Sequence, residues 1–77
     1  MNTKLILYST SHCHLCDLAR SLLISSSKTF RLELIDIAEN ELLLEQYGVR
    51  IPVLRRDDTK VELNWPFDAS DIQKFLS

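Results

Sequence analysis

The sequence predicts an α/β domain of order β-α-β-α-β-β-α, with a four-stranded mixed sheet flanked by three helices. Three observations carry that expectation. The apolar run Leu5-Ile6-Leu7-Tyr8 leads into Cys13-His14-Leu15-Cys16 and then a helix-periodic stretch to Leu23, so a strand feeds a CxxC that opens a helix. An alternating run from Phe30 to Ile35 follows, and a right-handed crossover makes these first two strands parallel. Two short apolar runs on either side of Asp57-Asp58 then read as an antiparallel hairpin ahead of a capped last helix.

Each element has its own local cause. Lys4 to Tyr8 is a buried strand, and Ser9-Thr10-Ser11-His12 turns the chain into the first helix. Leu15, Leu18, Ala19, Leu22 and Leu23 fall on one helical face, which is expected to pack on the strand. Ser25-Ser26-Ser27 ends that helix in a polar loop. Phe30, Leu32 and Leu34 alternate with Arg31, Glu33 and Ile35 in the second strand, which Asp36 closes.

Glu39 to Tyr47 holds strong helix formers with acids at its start, where they complement the helix dipole, and Gly48 suits a left-handed position just past the end. After Pro52, Val53-Leu54 forms a strand, and Val61 with Leu63 alternates into its hairpin partner. Asp68 caps the last helix, Asp71 completes a capping box, and Phe67 is placed to staple onto Ile72. Phe75 and Leu76 extend the apolar face.

At 77 residues, without an internal repeat or a break in composition, residues 1–77 are expected to form one domain with an economical core. Hydrophobic residues make up 45% and charged residues 26%, a globular rather than disordered balance. Nine basic and eleven acidic residues, a net charge of -2, are spread along the chain. That distribution leaves no electrostatic footprint for nucleic acid or an anionic membrane. The four apolar residues before Ser9 are too few for a signal-peptide core or a bilayer span, so a cytoplasmic location is expected.

In a reducing compartment, two Cys separated by two residues point to redox cycling or metal binding rather than a permanent staple. Two thiols on one helical turn can close a disulfide, while unpaired N–H groups and the helix dipole stabilise a thiolate at the first. Cys13 is therefore the expected nucleophile and Cys16 the resolving thiol of a thiol–disulfide oxidoreductase. His12, Cys13, His14 and Cys16 are also ligands that Zn²⁺ or Cu⁺ accepts. Adjacent residues on one tight turn seldom aim four side chains at one ion, so no mononuclear metal site is expected.

Tyr8-Ser9-Thr10-Ser11-His12-Cys13-His14-Leu15-Cys16 resembles the strand-to-CxxC segment of glutaredoxins. Tyr47-Gly48-Val49-Arg50-Ile51-Pro52-Val53-Leu54 resembles their segment around the cis-proline, and Asp68 stands at the matching helix cap. The chain is thus similar to a divergent, small glutaredoxin-like protein, and the resemblance implies the thioredoxin-like fold. It also implies disulfide exchange for cell redox homeostasis and a cis Ile51-Pro52 bond. That bond would place the backbone of Ile51 beside the sulfurs, to pair with an extended substrate; the plain alternative is a proline that stiffens a strand entry.

The departures from the family pattern bear on substrate. Glutaredoxins usually carry Lys three residues before the first Cys, where this chain has Thr10, and their paired glycines are replaced by Asn64-Trp65-Pro66-Phe67. Two handles for glutathione are missing, so weak use of glutathione is expected. Cys13-His14-Leu15-Cys16 also lacks the proline common inside such motifs, and His12 stands where thioredoxins place a Trp.

Further candidates carry two readings each. A protonated His12 or His14 would favour the Cys13 thiolate, against two solvated turn histidines. Arg50 can supply positive potential or a carboxylate contact, against a solvated cation. Trp65 is partly core and can also present an aromatic wall to a protein substrate. Arg55-Arg56 with Asp57-Asp58 reads as hairpin solvation. The expected partners are protein or small-molecule disulfides and a thiol reductant, either glutathione as co-substrate or a thioredoxin-type reductase. No bound organic cofactor is expected, and the chain is expected to be a monomer. The alternative class is a binding module, either a non-catalytic docking platform or a carrier of metal or a glutathione-assisted iron–sulfur cluster.

Overall fold

The computed structural model describes residues 3–26 and 29–77. Ser27 of the expected serine loop, with Met1, Asn2 and Lys28, lies outside the described residues. The elements run β1 (Thr3–Ser9), α1 (His14–Ile24), β2 (Phe30–Asp36), a 3-10 turn (Ile37–Glu39), α2 (Glu41–Tyr47), β3 (Val53–Arg56), β4 (Glu62–Asn64) and α3 (Ala69–Phe75). The sheet order is β2-β1-β3-β4, with β1 parallel to β2 and antiparallel to β3, and β3 antiparallel to β4. This is the mixed sheet and element order expected from the sequence. No helix among the described residues is long and apolar enough to cross a membrane.

Because β1 is central and buried on both faces, its apolar run is continuous rather than alternating. Leu5 and Leu7 point into one cluster with Ala19, Leu23, Leu54, Phe67 and Ile72, under α1 and α3. Ile6 and Tyr8 point the other way, into a second cluster with Ile37, Tyr47 and Val53, under α2. Each fully buried Leu or Ile stabilises the fold by roughly 1.5–3 kcal/mol relative to exposure. The pairing of Phe67 with Ile72 in the first cluster is the expected hydrophobic staple of α3. Both halves of the Asp68–Asp71 capping box are formed, at 2.9 and 3.0 Å.

Several local expectations need correction. Leu15 and Leu18 are 44% and 43% exposed, and the buried face of α1 is Cys16, Ala19 and Leu23. The burial stripe is therefore rotated toward the second cysteine, with Leu22 at its margin. Leu34 and Val61 are exposed, and Val61 falls outside β4. The expected helix from Glu39 is broken at Asn40, whose extended backbone ends the 3-10 turn and whose side chain accepts from Leu43 N–H at 3.1 Å to start α2 anew.

Gly48 is right-handed, at φ -52 and ψ -37, rather than left-handed. Its small size matters for another reason: a Cβ there would stand 2.5 Å from the carbonyl oxygen of Leu44. Two non-glycine residues take left-handed backbone, His12 at φ 58 and Lys60 at φ 64, each in a turn. Histidine is among the residues that tolerate this region best.

Candidate active site around Cys13 and Cys16

The strand register gathers the site. Tyr8 pairs with Val53, and Val53 with Asn64. The turn after β1, the segment Arg50-Ile51-Pro52 before β3 and Trp65-Pro66 after β4 therefore all leave the sheet at the same end. That end carries the cysteines.

Cys13 is the N-cap of α1, in extended backbone at φ -100 and ψ 102, and Cys16 is the third helical residue. The Sγ of Cys13 takes the place of a capping oxygen and accepts from the N–H of Cys16 at 3.2 Å. The two residues are joined by a disulfide, with Cα atoms 5.2 Å apart. Cys13 is half-buried, whereas Cys16 is 4% exposed and belongs to the buried face of α1. The less buried cysteine thus stands at a site of positive helix potential and the more buried one is a turn behind it. His12 and His14 are both exposed, the first in the left-handed turn and the second as the first residue of α1.

On the opposite wall, Ile51–Pro52 is cis, as the family resemblance implies, and Trp65–Pro66 is cis as well. Pro52 is fully buried, and Ile51 packs on the cluster of Tyr8, Tyr47 and Val53. The N–H of Ile51 already donates to the carbonyl of Tyr47 at 3.1 Å. Trp65 packs partly into the first core cluster and meets Phe67 edge-on, at 5.0 Å between centroids. Its outer surface lines an open groove of about 320 Å³ with Leu18, Ser21, Leu22 and Ser25.

Arg50 is not a solvated cation but is paired within the chain. Its guanidinium donates to Glu62 Oε1 at 2.8 Å and to Asn64 Oδ1 at 2.9 Å, and lies 5.2 Å from the centre of the Tyr47 ring. Glu62 also accepts from the Tyr47 hydroxyl at 2.5 Å, and Arg55 donates to that hydroxyl at 3.4 Å. Tyr8 stacks on Tyr47 with centroids 4.2 Å apart. Burial pushes the Glu62 carboxyl up, but hydrogen bonds from Tyr47 and Arg50 and the charges of Arg50 and Arg55 bring it below its ordinary value. Burial and the bond to Glu62 push the Tyr47 hydroxyl up to about 12.

The carboxylate contact expected of Arg50 is thus made within the chain, to Glu62, while the rest of the network has no local sequence signal, because its hydrogen-bonded partners lie 8 to 15 residues apart. Arg56 also does more than solvate the hairpin: it forks onto Asp58 at 2.8 and 3.0 Å and donates to the carbonyl of Phe75 at 2.7 Å. Among the described residues, no group of three or more His, Cys, Asp or Glu is placed to hold a metal ion.

The family model for the Glutaredoxin-like domain (DUF836) matches residues 4–77. The chain belongs to this glutaredoxin-like family. Among solved structures, it is similar to the X-ray structure of structural-genomics target protein XcR50 from X. campestris, at 39% identity and TM-score 0.83, over 94% of this chain and 93% of that one. The solution structure of the same target gives 38% identity and TM-score 0.79, over 94% and 90%. The solution NMR structure of protein Ne2328 from Nitrosomonas europaea gives 34% identity and TM-score 0.79, over 100% and 94%. No curated protein matches this chain. This glutaredoxin-like chain therefore has the thioredoxin-like fold, with the Cys13–Cys16 disulfide at the start of its first helix.

Proposed function

We propose that this glutaredoxin-like protein is a thiol–disulfide oxidoreductase that cycles between the Cys13–Cys16 disulfide and the dithiol. The observation that carries this reading is the asymmetry of the pair, a half-buried Cys13 whose Sγ caps a helix and a buried partner three residues on. In the reduced protein, the Cys13 thiolate attacks one sulfur of a substrate disulfide. The substrate S–S bond breaks, a Cys13–substrate bond forms, and one substrate thiolate leaves and takes a proton from solvent. Cys16 then loses its proton and attacks Cys13 Sγ, which closes the internal disulfide and releases the second substrate thiol. Two electrons pass from the dithiol to the substrate, and an external thiol reductant must return them.

The residues around the pair have roles consistent with that cycle. His12 and His14, when protonated, add positive potential at the Cys13 sulfur. Ile51 and Trp65 offer apolar surface to a substrate, the buried Pro52 fixes the segment that carries Ile51, and Arg50 is paired with Glu62 beside them. Protein or small-molecule disulfides are the substrate class, in the cytoplasm, and either glutathione or a thioredoxin-type reductase is the source of electrons.

The test is turnover of a small neutral disulfide with each reductant supplied separately, alongside redox titration of the cysteine pair. The reading predicts a reversible two-electron couple and turnover that needs both cysteines. A pair that titrates but turns over no disulfide with either reductant would leave the protein a binding module.

A further inference from the structure

Glu62 lies outside the sulfur chemistry, yet it holds the positive side chain at the sulfur end of the sheet. We infer that Glu62, with Asn64, is a specificity-determining device: an internal carboxylate that occupies Arg50 and so disfavours small thiol substrates bearing carboxylates. This deepens the oxidoreductase reading and rests on it.

The geometry is that of a partly filled anion site, in which one guanidinium nitrogen of Arg50, Nη2, makes both contacts. Arg50 stands two residues before Pro52, on the segment that faces the cysteine turn across the β1–β3 register. A guanidinium there would offer two N–H donors to a substrate carboxylate. Both acceptors it now contacts, Glu62 Oε1 and Asn64 Oδ1, come instead from β4 of the same chain. Glu62 is held in turn by Tyr47 and Arg55, so it is fixed where Arg50 reaches it. A free carboxylate must compete with this tethered one, which acts at high effective concentration and offsets the charge of Arg50. Thr10, in place of the usual lysine, supplies no second cation to compensate.

Glu62→Gln removes the competing charge. The variant's single amide oxygen can accept from Tyr47 or from Arg50, and in either orientation it carries no charge. Arg50 is then left with neutral acceptors only, Asn64 among them, and its charge becomes available to an incoming carboxylate.

The probe is S-methylglutathione, a tripeptide thioether with two carboxylates and no thiol, titrated by NMR into the oxidised protein at low salt. Glu62→Gln is expected to bind it about tenfold more tightly than the wild type, equivalent to about 1.4 kcal/mol. The gain should vanish in Glu62→Gln/Arg50→Met and shrink with added salt. Equal affinity of wild type and folded Glu62→Gln, or a gain that survives loss of Arg50, would overturn the proposal. If Glu62→Gln does not fold, Asn64→Ala decides the matter, since it leaves the Tyr47–Glu62 bond in place and removes one of the two acceptors. A gain of roughly threefold, about half the tenfold gain on a logarithmic scale, supports the device, and no gain overturns it. Wild-type turnover of bis(2-hydroxyethyl) disulfide, which is neutral, is measured alongside. Its absence would sink the oxidoreductase reading while the binding comparison still judges Glu62.

Discussion

The Sγ of Cys13 accepts a hydrogen bond from the backbone N–H of Cys16 at 3.2 Å, so the sulfur that caps α1 is held by the residue to which it is disulfide-bonded. Upon reduction the same N–H is expected to stay aimed at Cys13, because it belongs to the first turn of α1. A thiolate accepts such a bond better than a thiol does, and it gains from the helix dipole as well. The capping relationship thus links the local fold of residues 13–16 to the assignment of attacking and resolving sulfurs.

That assignment predicts unequal variants. Cys16→Ser should still attack a disulfide and accumulate a mixed disulfide at Cys13, because the nucleophile and its cap are intact. Cys13→Ser should yield no mixed disulfide, since the remaining sulfur is buried in the face of α1. Intact-mass analysis after mixing with a small disulfide reads both outcomes, and an adduct at Cys16 would reverse the roles.

Tyr47→Phe removes the hydroxyl that donates to Glu62 and leaves the ring stacked on Tyr8. A hydrogen bond to a charged partner contributes about 1.5–3 kcal/mol. Because Glu62 is partly exposed and keeps Arg50, a loss of about 1.5–2 kcal/mol is expected in urea unfolding, the low part of that range. The pH dependence is more specific. The folded Tyr47 hydroxyl is pushed up to about 12 from 10.0, so the folded state holds its proton longer than the unfolded state. Its contribution is complete below pH 10 and is lost as pH rises through about 12. In Tyr47→Phe that part of the alkaline decline should be missing; an unchanged decline would mean that another group titrates.

Gly48→Ala should destabilise the protein although the glycine is right-handed. The new Cβ would sit 2.5 Å from the Leu44 carbonyl oxygen, which cannot move without disturbing the end of α2. Overpacking of this kind costs about 1–3 kcal/mol. Thermal unfolding of the variant measures it, and an unchanged midpoint would show that the turn after α2 relaxes freely.

The contrast between Gly48 and Asp68 shows how far the sequence could be read. Asp68, Asp71, Phe67 and Ile72 act within one turn, so their spacing alone identifies the cap, the box and the staple. The apolar run of β1 and the CxxC that follows it are equally local. Gly48 has a signal in its residue type, but whether its backbone turns left or right depends on how Arg50 and Ile51 both donate to the Tyr47 carbonyl. The face of α1 is misjudged for a related reason: Leu15 and Leu18 satisfy helical spacing, yet the sheet lies on the side of Cys16 and Ala19. Least legible is the Tyr47–Glu62–Arg50 network, which exists only because β3 and β4 pair in one register and bring α2 and β4 together.

The central claim is that Cys13 is the activated thiol of an exchanging pair, and pH-dependent alkylation of the reduced wild-type protein tests it most directly. Quenched samples digested and resolved by mass spectrometry give a separate rate for each cysteine. The account predicts that Cys13 alkylates faster than Cys16 throughout, with a midpoint below the free-thiol value of about 8.5. A Cys13 midpoint at or above that value, or faster reaction at Cys16, would contradict it.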